Sequence, residues 1–73
     1  MEARVKSILA IVLDIPESDI EDNFSPDETA NWDSSRHIIL ISALEDEFDV
    51  QFEEEEIMEM ISFQKIVDML RKK

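Results

Sequence analysis

The residues able to do chemistry are concentrated in the run Asn31-Trp32-Asp33-Ser34-Ser35-Arg36-His37. A short acceptor side chain such as Asp33 suits the start of a helix, where it can satisfy backbone N–H groups of the first turn. A hydrolytic reading would make Ser34 or Ser35 a nucleophile and His37, the only histidine, its base. Two positions along a helix from Ser35 the ring lies on another side, and no cysteine or glycine is present to supply a thiolate or an oxyanion turn. The chain is therefore not read as an enzyme, and His37 is read as a surface residue without a task. The pair Asp33-Ser34 is too common to decide by itself between a helix start and a functional hydroxyl, so the surrounding elements must.

Four segments have helical spacing. Val5, Ile8, Leu9 and Val12 fall at i, i+3, i+4 and i+7, which predicts a first helix over 2–13 that ends before Pro16. Residues 16–33 are rich in turn formers and read as a long loop, with Ile20, Phe24 and Trp32 as its apolar anchors. A second helix is expected over 34–48, capped by Asp33, with Ile38, Ile41, Ala43, Leu44 and Phe48 on its inner face and Asp49 in the left-handed position that a chain without glycine must fill otherwise. Val50-Gln51-Phe52 is too short to support a sheet and reads as a connector. A short third helix over 53–60 carries Ile57 and Met60, and Ser62 caps a last one with Phe63, Ile66, Val67 and Leu70 turned inward. The expected class is all-α, a small four-helix bundle with a long first loop and a short third helix, forming a single domain over 1–73.

With 19 acidic against 7 basic residues, the formal charge is −12, which repels nucleic-acid phosphates and attracts basic partners. No apolar run after the N-terminus is long enough for a signal peptide or a membrane span. A hydrophobic content of 44% is too high for a disordered acidic tail. The absence of cysteine leaves no disulfide and permits a reducing compartment. The expectation is a monomer in the cytoplasm, bound to neither nucleic acid nor membrane. The crowded carboxylates from Glu45 to Glu59 should repel one another, yet no glycine-centred calcium loop accompanies them, so no metal site is read there.

Taken together, the first amphipathic helix, the loop ending in Trp32-Asp33-Ser34, the run Ile38-Ile39-Leu40-Ile41-Ser42-Ala43-Leu44-Glu45-Asp46-Glu47-Phe48, the Val50-Gln51-Phe52 connector and the closing Ser62-Phe63-Gln64-Lys65-Ile66-Val67-Asp68-Met69-Leu70 resemble the acyl carrier protein family over nearly the whole chain. The Ala43-to-Phe48 segment, at the family's distance after Asp-Ser, is far more specific than the dipeptide. The resemblance implies that Ser34 bears 4′-phosphopantetheine from coenzyme A, installed by a phosphopantetheinyl transferase that recognises Asp33 beside it. It further implies that the arm's thiol carries acyl groups to acyl-transfer and condensing enzymes with basic docking patches, in fatty-acid or related lipid or polyketide biosynthesis. A phosphodiester at a helix's first turn would meet free N–H groups and the positive end of the dipole.

Two departures from the family pattern suggest a specialised carrier. Ser35 stands where the family has an apolar residue, and Arg36 and Ile39 occupy exposed positions that are often acidic in fatty-acid carriers. With Glu45 and Asp46 these form the expected partner surface. Ile38, Ile41, Leu44, Phe48, Ile57 and Met60 form the expected acyl pocket. The competing reading is an unmodified acidic helical adaptor that keeps the carrier fold and binds a basic protein surface.

Overall fold

The computed structural model describes residues 1–73 and is entirely helical. Helix α1 spans Glu2–Leu13, α2 Ser34–Phe48, α3 Glu54–Glu59 and α4 Phe63–Arg71. Residues 50–52 form no strand. The long connection between α1 and α2 contains two 3-10 turns, Glu17–Asp19 and Pro26–Glu28, which the turn-rich composition did not separate from plain loop. No helix is long and apolar enough to cross a membrane.

Helices α1 and α2 run antiparallel: Arg4 pairs with Glu47 at 3.1 Å near one end, and Arg36 reaches Val12 O near the other. The buried line of α1 is Val5, Leu9 and Leu13, with Ile8 and Val12 packed half-buried beside it. In α2 the fully inward residues are Leu40, Ile41 and Leu44. Ile38, expected on the inner face, is instead 67% exposed. At 3.6 residues per turn it lies about 160° around the helix from Leu40, and the unbroken run Ile38 to Ile41 hides that phase from a pattern search. Every buried residue is hydrophobic, and no buried side-chain nitrogen or oxygen lacks a hydrogen-bond partner.

Both positions with positive φ are aspartates. Asp14 ends α1 at φ 55° and Asp49 ends α2 at φ 54°. A short polar side chain tolerates the left-handed region better than most, and this chain has no glycine to place there. The loop's anchors are buried as expected, with Ile20, Phe24 and Trp32 each at most 5% exposed and the Phe24 and Trp32 rings stacked at 5.9 Å. The loop also closes the start of α4. Phe63 N–H donates to Phe24 O and Gln64 N–H to Asp22 O, while Ser62 Oγ accepts from Lys65 N–H.

Helix α3 buries no side chain and depends on its ends. Glu53 and Glu56 form a reciprocal capping box, and Lys73 Nζ sits 2.8 Å from Glu56 Oε1 and 5.6 Å from the Phe52 ring centroid. The Lys73 hydrogen bond, followed by the Glu53 backbone N–H, holds the Glu56 carboxyl below the ordinary glutamate range. A carboxylate lowered on folding contributes stability at neutral pH that disappears as pH falls through the folded-state value. Glu56→Gln keeps a neutral acceptor for the cap and removes the ion pair. Its melting temperature should fall slightly below wild type at pH 7 and converge with it in acid, as read in thermal melts across pH; a constant gap would place the effect in the cap alone.

Candidate functional site

Ser34 is the first residue of α2 and is exposed. It is presented there because Asp33, with an extended backbone at φ −108°, caps the helix: its Oδ1 accepts Arg36 N–H at 2.9 Å, and its carbonyl accepts His37 N–H. The amides of Ser34 and Ser35 precede the helical ladder and donate to no protein group. An exposed hydroxyl thus stands among free N–H donors at the positive end of a 15-residue helix, an environment suited to a phosphate ester. Beside it opens a groove of about 360 Å³ lined by Pro26, Trp32, Asp33, Ser34, His37 and Ile61.

His37 is half-buried and fully engaged, contrary to its reading as a surface residue without a task. Trp32 Nε1–H donates to Nδ1 at 3.0 Å, and Nε2 lies 2.8 Å from Ile57 O. With both ring nitrogens occupied, the imidazole is not available as a base for either serine. The chain therefore holds no activated nucleophile at this site. The signal that escaped the sequence reading was the Trp32 and His37 pair itself, five residues apart across a helix cap.

The expected partner residues divide by what their side chains touch. Ser35, Ile39 and Asp46 are exposed and share one line of α2 at i, i+4 and i+11. Arg36 is not the exposed residue that its position predicts. It is half-buried, and its Nη1 donates to Val12 O at 3.1 Å, which places a cation against the C-terminal end of α1. Glu45 is likewise committed in part, since Oε2 accepts Phe52 N–H at 2.9 Å. Of the expected pocket residues, Ile41, Leu44 and Met60 are buried and Phe48 and Ile57 half-buried against the same core, while Ile38 faces outward. Met58 is also outside, at 70% exposure.

Comparison with known proteins gives a consistent result. The family model described as a phosphopantetheine attachment site matches residues 3–70. Over 73 residues, all of this chain and 91% of the relative, the sequence is 36% identical to the acyl carrier protein of two strains of Buchnera aphidicola subsp. Acyrthosiphon pisum. The corresponding protein of a third strain is 34% identical over the same span.

The commitment of Arg36 to α1 has a measurable consequence. Arg36→Ala removes a charge-assisted hydrogen bond from a helix end and should lower unfolding stability by about 1 kcal/mol. Urea unfolding of the variant and wild type is the check. Equal midpoints would return Arg36 to the set of side chains free for partners.

Proposed function

The chain belongs to the acyl carrier proteins, which carry rather than catalyse, and on that premise we propose that Ser34 bears the family's 4′-phosphopantetheine group. The observation that carries this reading is the cap: Asp33 leaves Ser34 Oγ exposed at the first position of α2, with the unpaired Ser34 and Ser35 amides beside it. When bound, the group supplies a thiol at the end of a flexible arm, on which acyl cargo is held as a thioester. The chain's own residues supply the rest. Asp33 fixes the helix start and marks the serine for the transferase, while the first-turn amides face the ester phosphate.

Installation requires an external enzyme, because His37 is engaged elsewhere and cannot take the hydroxyl proton. A phosphopantetheinyl transferase must deprotonate Ser34, whose oxygen then displaces the nucleotide half of coenzyme A. Residues 1–73 act as one carrier unit, a cytoplasmic monomer. Ser35, Ile39 and Asp46 form its partner-facing line, and the free edge of Glu45 adds charge for basic docking patches on acyl-transfer and condensing enzymes. An exposed Ile39 and a polar Ser35 directly after the attachment point support a specialised carrier in lipid or polyketide synthesis over a housekeeping one. Ile41, Leu44, Phe48, Ile57 and Met60 form the interior that receives the acyl chain.

A transferase with coenzyme A should add one arm to the wild-type protein and to Ser35→Ala but none to Ser34→Ala, as read from intact mass. Modification that is lost with Ser35→Ala instead would move the attachment point by one residue. No modification of any variant would favour an unmodified acidic adaptor.

A further inference from the structure

Helix α3 is the least anchored of the four, with six residues and no buried side chain. Its C-terminal end is joined to the first turn of α2 by His37 Nε2, 2.8 Å from Ile57 O, the carbonyl that also accepts Met60 N–H. The direction of this bond follows from the other ring nitrogen. The Trp32 indole nitrogen can only donate, so Nδ1 must be bare, and Nε2 carries the hydrogen that it donates to Ile57 O. His37 is therefore a spacer that accepts from the loop and donates to α3.

This spacer stands at a boundary. On its outer side it helps line the groove beside Ser34. Along its own helix face, one and two turns on, come the buried Ile41 and Leu44, and Met60 is buried where the chain leaves α3. The polar link thus ties α2 to the end of α3 next to the candidate attachment serine.

We propose that the Trp32–His37–Ile57 hydrogen-bond chain is a gate for acyl cargo. A chain tethered at Ser34 rests in the outer groove against Trp32 and Ile61 while His37 holds Ile57 O, and it reaches the interior only when that bond opens. The gate selects by length: a long chain has enough methylenes to bury to offset the lost bond, whereas short or polar cargo stays outside. The inference rests on Ser34 as the tether and on the interior as the receptor for the chain.

Two measurements test it. In the unmodified protein, His37→Ala should speed hydrogen exchange at the Ile57 and Met60 amides by about fivefold while α1 and α4 keep their rates. His37→Gln, whose amide can both accept from Trp32 and donate to Ile57 O, should restore wild-type rates. In protein loaded from octanoyl coenzyme A, with mass verifying one arm on Ser34, His37→Ala should enlarge the rise in melting temperature that octanoyl produces over the bare arm, and His37→Gln should match wild type. If His37→Ala does not fold, His37→Phe keeps the ring's bulk without its nitrogens and faces the same outcomes. Unchanged exchange in α3, or equal rises in wild type and variant, overturns the gate alone; absence of an arm at Ser34 overturns the tether and the gate with it.

Discussion

Every helix leaves backbone N–H and C=O groups without partners at its ends, and short helices have proportionally more of them. This constraint organises the molecule. At α1's C-terminal end, Asn31 Nδ2 donates to Leu13 O at 2.8 Å, and Arg36 donates to Val12 O. At α4's start, Phe24 O and Asp22 O receive the first amides. The long loop is thus held by α1 and α4, with its own Trp32 and Phe24 buried, and the direction in which the chain enters α2 is fixed before Ser34 is reached.

That arrangement separates what is held from what is offered. The Asp33 side chain, Arg36, both nitrogens of His37 and one oxygen of Glu45 are committed to internal hydrogen bonds. The Ser34 hydroxyl and the first two amides of α2 remain open. A carrier needs an attachment point that is rigidly placed and chemically idle, since the reactivity belongs to the arm and to the enzymes it visits. A site whose only imidazole is used as a spacer meets that need.

Periodicity and caps were legible in the sequence because they are local. The boundaries of α1 and α2, the Asp33 and Ser62 caps and the burial of Phe24 and Trp32 follow from residue types a few positions apart. The Asp33-Ser34 pair was legible only through resemblance, since the same dipeptide starts many helices. Helical phase within the four apolar residues 38–41 was not legible, because a run without polar residues has no visible face, and Ile38 was misplaced for that reason. Contacts between distant parts of the chain were equally out of reach. Nothing near Arg36 announces Val12 O, 24 residues earlier, and nothing near His37 announces Ile57 O, 20 residues later.

The claim on which the rest turns is that this exposed, idle hydroxyl is an attachment point in the living cell. Protein recovered from its own host, cleaved after lysine and arginine, gives a peptide spanning 7–36 that contains Ser34 and Ser35. Fragmentation of that peptide should locate one phosphopantetheine on Ser34, bare or acylated. A fully unmodified peptide, or a group located on Ser35, would contradict the account.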